Sequence, residues 1–267
     1  MVLPARSPPE RVRERSPEGV PSGLGTLPRV DGPELRYGTP RAWGTIAAVV
    51  LGSGIVFLDG TVVNVALPAI GEDLGTSLGG MQWTVNSYLV TLSALLLLGG
   101  SLGDQFGRRR VFVIGLVVFT AASVLCGLAP STGALVAARA VQGIGGALLV
   151  PGSLSILAAT FHPDDRARAI GAWSGMAGVT SSLGPFLGGW LIDAFSWRLI
   201  FFVNVPLAAV AVAIALRFVP ETRAPERQPL DLAGAVLVTV ALAGISYAAI
   251  EQGASSQVVA AVVGSRR

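Results

Sequence analysis

The chain has 267 residues, 52% hydrophobic and only 13% charged, with a mean hydropathy of +0.65. A soluble domain carries about 25% charged residues, so this composition excludes a soluble globular protein and reads as an all-α, polytopic membrane helix bundle. The net charge is +3, yet the 19 basic residues are all Arg, nearly all placed outside the apolar runs, with no nucleic-acid motif beside them, so nucleic acid is not an expected partner.

Residues 1–41 form the first segment. Eight of the seventeen prolines lie in residues 1–40, mixed with Arg, Glu and Gly and without an apolar run. This predicts a disordered cytoplasmic tail with no signal-peptide core. Seven apolar runs follow, each long enough to cross a hydrocarbon core of about 30 Å. They cover residues 43–67, 81–102, 111–129, 134–161, 169–192, 199–219 and 232–250. Short connections make neighbouring spans antiparallel, so residues 42–220 are predicted to form a six-helix bundle. Residues 221–250 then hold a loop and the seventh span, and 251–267 a short tail that does not span. Arg residues crowd one side of this layout: seven before the first span, Arg108 to Arg110, Arg166 and Arg168, and Arg217, Arg223 and Arg227. Arg198 stands alone on the other side. The positive-inside rule therefore places the N-terminus in the cytoplasm of a cell-membrane protein.

Within the first span, LDGTVVNVALP (residues 58–68) puts Asp59 in a membrane-length apolar run. A carboxylate there costs about 2.5–3.5 kcal/mol on insertion scales, so it marks a site for ions, protons or substrate. Helical rise puts Asp59 roughly 12 Å from the outer end of its span and Arg139, in the fourth, roughly 8 Å deep. Two readings stay open from this spacing. One is a structural ion pair. The other is a coupling device: a carboxylate beside an arginine stays ionised, whereas desolvation by a bound apolar substrate favours protonation, linking proton and substrate occupancy. Asn64, Asn86, Tyr88 and Gln142 are candidate substrate-cavity residues. Each taken singly reads first as interhelical hydrogen bonding, while Gln142 shares a helical face with Arg139.

Between the second and third spans, GSLGDQFGRRR (residues 100–110) reads as a built turn. Gly103 and Gly107 permit tight bending, Asp104 suits a helix N-terminus, and the arginines anchor the cytoplasmic face. Cys126, the only cysteine, excludes an internal disulfide and a thiol-pair metal site. His162, the only histidine, is expected to be solvated or to cap the last carbonyls of the fourth span. In the fifth span, Gly171 with Gly175 and Gly184 with Gly188 have the GxxxG spacing of closely packed helices, and Pro185 permits a kink. No His cluster, Ser/His/Asp set or phosphate-binding loop is present, so no enzymatic chemistry and no metal are expected.

Taken in order, these motifs resemble the major facilitator superfamily, in its fourteen-helix drug:proton antiporter branch. LDGTVVNVALP is similar to that branch's first-helix motif. Gly100, Gly103, Asp104, Gly107, Arg108 and Arg109 fit the loop signature GxLaDrxGrk, and Arg139, Gln142, Gly143 and Gly145 fit RxxQGxG. Gly184, Pro185, Gly188 and Gly189 fit the antiporter motif GPxxGG, and WRLIFFVNVP from Trp197 is similar to the opening of the sixth helix. Gln105, Gly103 and Thr180 depart from the family's usual basic residue, Ala and Gly.

The resemblance implies proton-coupled multidrug efflux, driven by a proton gradient without a cofactor. It implies that Asp59 binds the proton and Arg139 modulates it. The signature from Gly100 to Arg109 would gate the conformational switch, and Gly184, Pro185, Gly188 and Gly189 would form a hinge. Implied partners are the lipid bilayer, protons and a small amphipathic, cationic drug-like substrate. Another metabolite carrier of the superfamily is the alternative. The residues present read as the N-terminal half of such a transporter, and three readings stay open: a truncated product, a half that pairs with a second copy or a separate C-terminal half, or a non-transporting membrane protein that binds a partner.

Overall fold

The computed structural model describes the backbone of residues 34–224 and 231–264, and side chains within these ranges up to residue 250. In chain order the elements are α1 (Pro40–Leu74), α2 (Leu78–Phe106), α3 (Arg108–Gly127), α4 (Thr132–Thr160), α5 (Pro163–Ala194), α6 (Leu199–Phe202), α7 (Asn204–Phe218) and α8 (Leu232–Gly264). Among the described residues, six stretches are long and apolar enough to cross a membrane: α1, α2, α3, α4, the joined α6–α7 and Leu232–Ile250 of α8. The remaining expected span is α5, 32 residues long, whose six glycines and three serines leave it less apolar than the others.

Local chemistry explains where these helices start. Thr39, Ser77 and Ser131 each accept a hydrogen bond from an N–H of the following turn, those of Ala42, Gly80 and Ala134, at 3.2–3.3 Å. Such side-chain oxygens satisfy donors that a helix leaves orphaned. Pro40 and Pro163 occupy first-turn positions, where a missing N–H costs nothing. Gly75 ends α1 in the left-handed region at φ 60°.

Four sequence expectations are corrected. Residues 100–110 are not a loop: α2 runs through to Phe106, α3 begins at Arg108, and Gly107 alone breaks the helix at φ 112°. Gly103 is helical and buried, so the bend needs one glycine where the sequence suggested two. His162 caps the helix after it rather than the one before, its Nδ1 accepting from the Asp164 N–H at 3.3 Å. The end of the expected tail is docked: Leu35 donates to the Thr160 carbonyl and accepts from the His162 N–H, at 2.7 and 3.1 Å. Its side chain is buried. Residues 1–33 lie outside the described residues. Finally, α8 continues past Ile250 to Gly264, because nothing in residues 251–264 breaks a helix.

The α4 helix is clasped between α2 and α3, while α1 lies along α5 and α7, and α8 along α2. Two apolar cores are stacked along the bundle. The first contains Ile46, Val49 and Val56 of α1, Phe112, Leu116 and Phe119 of α3, Leu149 and Ile156 of α4, and Ala208 and Ala211 of α7. The second contains Val62, Val63 and Ile70 of α1, Cys126 of α3, Leu135 and Ala138 of α4, and Ile200 and Phe201 of α6. Along α1, α3, α4 and the joined α6–α7, the switch from one core to the other falls at a polar residue: Asp59, Ser123, Arg139 with Gln142, and Asn204. A buried polar layer is thus enclosed between two apolar ones.

Candidate functional site

The polar layer holds the ion pair that the sequence expected. Asp59 and Arg139 are both buried, and the Arg139 guanidinium donates to Asp59 Oδ2. Each charge alone would be costly in this surrounding, and each has partners besides the other. Arg139 also donates to Gln142 Oε1 at 2.8 Å and to the Thr84 carbonyl at 3.2 Å. Its guanidinium carbon lies 4.1 Å from the Tyr88 ring centroid and 5.9 Å from that of Phe201, within cation–π reach. Asp59 Oδ1 accepts from Gln142 Nε2 at 2.9 Å and, more weakly, from Asn204 Nδ2 at 3.4 Å. Ser123 completes the layer. Its Oγ accepts from Asn204 at 2.9 Å and Gln142 at 3.3 Å, and donates to the Phe201 carbonyl at 2.9 Å.

Of the candidate cavity residues, the structure brings Gln142 and Tyr88 to this site. Tyr88 hydroxyl donates to the Val56 carbonyl at 3.2 Å, which fixes the ring under Arg139. Asn64 is not there: it is exposed, and its amide is spent on the Gly60 carbonyl one turn back at 2.8 Å. Asn86 is half-buried and shares no hydrogen bond with the layer among the described residues. Sequence reasoning missed Asn204 and Ser123. An amide inside WRLIFFVNVP was a usable signal for Asn204; Ser123, one of several small polar residues in α3, offered none.

The glycines of the RxxQGxG motif explain how α4 reaches the layer. A Cβ at Gly143 would lie 2.5 Å from the Tyr88 carbonyl oxygen, and one at Gly145 would lie 2.6 Å from the Phe119 amide nitrogen. No side chain fits at either point, so α4 touches α2 and α3 backbone to backbone at the level of Arg139 and Gln142.

The gating candidates meet at the α2–α3 junction. Asp104 pairs with Arg108 at 2.8 Å across the break at Gly107. Gly103 is buried within α2 beside Arg108, and Gly100 faces Pro151 of α4. The strand of chain after α7 closes over them: Thr222 accepts from the Arg108 N–H, Ala224 donates to the Asp104 carbonyl, and Glu221 accepts from the Arg109 N–H, at 3.0–3.1 Å. Glu221 also pairs with Arg109 and Arg110 at 3.7 Å. Its part in this junction was not foreseen.

The hinge candidates divide. Gly184 and Gly188 are buried against Thr61 and Val62 of α1, whereas Pro185 is exposed and Gly189 has open space where a Cβ would stand. Gly171, Gly175 and Gly178 also face open space, so only the second GxxxG pair is a helix contact. Thr180, which departs from the family pattern, turns its hydroxyl back to the Met176 carbonyl at 2.8 Å and finds room beside Gly54 of α1.

At the opposite end of the bundle from Arg108, Arg198 pairs with Asp73 at 2.5 Å, and the Trp197 indole donates to the same carboxylate at 3.1 Å. This binds the start of α6 to the end of α1.

A family model described as Major Facilitator Superfamily matches residues 49–264. The tetracenomycin C resistance and export protein of Streptomyces glaucescens is 41% identical over 204 residues, covering 76% of this chain and 38% of that protein. The methylenomycin A resistance protein of Bacillus subtilis is 42% identical over 213 residues, covering 78% and 45%. The chain thus spans less than half the length of these relatives. Among solved structures, a peptide transporter in complex with sulfate superposes with a TM-score of 0.63 at 17% identity, covering 87% of this chain and 47% of the other. The human organic anion transporter MFSD10 superposes at 0.56 and 21% identity, covering 74% and 53%. These two likenesses show the fold.

Proposed function

Since this chain belongs to the Major Facilitator Superfamily and is a multi-pass membrane protein, we propose that it carries the proton-coupling half of a drug:proton antiporter, with Asp59 as the proton site and Arg139 as its modulator. The observation that carries this is the buried layer around Asp59. With Asp59 ionised the pair is neutral; with Asp59 protonated the layer holds one positive charge. Arg139 keeps three other sources of support in that state, the Gln142 and Thr84 oxygens and the Tyr88 ring. A pair built only to hold helices together needs no such reserve. A cation brought close favours the ionised, neutral layer, because like charges repel strongly where water is excluded. Proton and cationic cargo therefore oppose each other, and opposition of two ligands is the thermodynamic basis of antiport.

Drug-like cargo is supported by the relatives, which are named for antibiotic resistance and export. The outward face of α5 exposes Met176, Leu183, Phe186 and Trp190, an apolar surface suited to a second helical body, either a copy of this chain or a separate C-terminal half. Arg108 to Arg110, Arg166, Arg168 and Arg217 share one end of the bundle, which supports a cytoplasmic N-terminus. Labelling of cysteines placed at Arg110 and Glu72, from either side of the membrane, checks that orientation. The function itself is tested by gradient-driven efflux of a fluorescent cationic dye from pump-deficient cells. Asp59→Asn is expected to abolish efflux while the protein stays in the membrane, and normal efflux in that variant would sink the coupling role.

A further inference from the structure

The two amides that flank Asp59 are not equivalent, and the difference concerns what happens when a proton arrives. Asp59 Oδ2 is engaged by Arg139, so a proton taken from water settles on Oδ1, forming one O–H bond and leaving the guanidinium charge unchanged. That oxygen now donates instead of accepting. Both neighbours present it with N–H groups, Gln142 at 2.9 Å and Asn204 at 3.4 Å, so one of them must turn for the new donor to find an acceptor.

Gln142 is held. Its Oε1 already accepts from Arg139 at 2.8 Å and from the Cys126 thiol at 3.5 Å, and rotation would point its N–H groups at a cation. Asn204 is not held in this way. Its Oδ1 is buried and has no hydrogen-bond partner, although Asn204 itself is fully buried. An unpaired buried acceptor is costly and rare in native structures. Here it lies on the side chain that also touches the one oxygen about to become a donor.

We infer that Asn204 is an amide rotor that reads the charge state of Asp59: it donates to the carboxylate and turns its Oδ1 to accept from the carboxylic acid. Ser123 sets the resting orientation, because its hydroxyl hydrogen goes to the Phe201 carbonyl and its Oγ can only accept from Asn204. The other titratable or charged groups around Asp59 are Arg139 from α4, Tyr88 from α2 and Cys126 from α3. Asn204 is a positioning residue, and its role rests on the proposed proton site at Asp59.

The test is an infrared pH titration of the purified chain in lipid, in which the carboxyl band absent from Asp59→Asn reports Asp59 alone. Asn204→Leu removes both a long donation to the carboxylate, at 3.4 Å, and the acceptor for the acid form; the acceptor is the larger loss, so the half-point of that band is expected to move down. Gln142→Leu removes a donor to the carboxylate, so its half-point moves up. Each shift should be about half to one pH unit, the scale of one neutral hydrogen bond. If the Leu variant does not reach the membrane, Asn204→Ser, too short to reach Asp59, is read in the same way. Half-points that stay put or rise in the Asn204 variants overturn the rotor and leave the proton site standing. A spectrum in which Asp59→Asn removes no titrating band overturns the proton site as well.

Discussion

At the residue scale, the informative feature is that Asp59 and Arg139 are both over-supplied with partners. Breaking a buried pair by removing one member leaves an uncompensated charge and costs about 3–5 kcal/mol, whereas replacing both members is often near neutral. Arg139→Met alone should therefore lower the thermal stability of the purified protein sharply. Adding Asp59→Asn in the same chain should restore most of the loss, because no buried charge remains. If the double variant is as unstable as the single one, the layer depends on the guanidinium as a packing element rather than on charge balance. The charged pair was legible in the sequence for a plain reason: charges are rare in apolar runs, so two at similar depth stand out. Neutral polar groups are not rare there. Asn64 and Asn204 look alike on paper, and only the helix register shows that Asn64 turns outward to its own backbone while Asn204 faces Asp59.

At the scale of elements, the fold rests on a few points where backbones touch. Gly184 and Gly175 are nine residues apart in α5, with the same residue type and opposite surroundings. A Cβ at Gly184 would collide with Thr61 and crowd the Leu58 carbonyl, whereas one at Gly175 meets nothing within 4 Å. Overpacking typically costs about 1–3 kcal/mol, while Gly to Ala in an open helix position gains up to about 1 kcal/mol. Gly184→Ala is thus expected to lower the melting temperature in detergent, and Gly175→Ala to leave it unchanged or raise it. Equal effects from the two would mean that α1 and α5 are not in contact through Gly184. Helix number and order were readable from apolar length. The junctions were not: a run of Gly, Asp and Arg reads as a loop, yet at the α2–α3 break the helix hydrogen bonding continues on both sides of the single residue Gly107. Glu221 escaped notice for a related reason, since its partners Arg109 and Arg110 lie more than a hundred residues away in sequence.

At the scale of the whole molecule, two apolar cores among the described residues enclose one polar layer, and Asp59, Ser123, Arg139 with Gln142, and Asn204 each stand where the chain passes from one core to the other. The proton exchange proposed for Asp59 would fall on buried groups, where a change of charge acts strongly on anything bound alongside. The most direct measurement is proton release from the purified chain in weakly buffered detergent on addition of a cationic dye. Release from the wild-type chain that disappears in Asp59→Asn is the expected result. No release from the wild type, or equal release from Asp59→Asn, would contradict the assignment of Asp59 as the group that exchanges a proton for cargo.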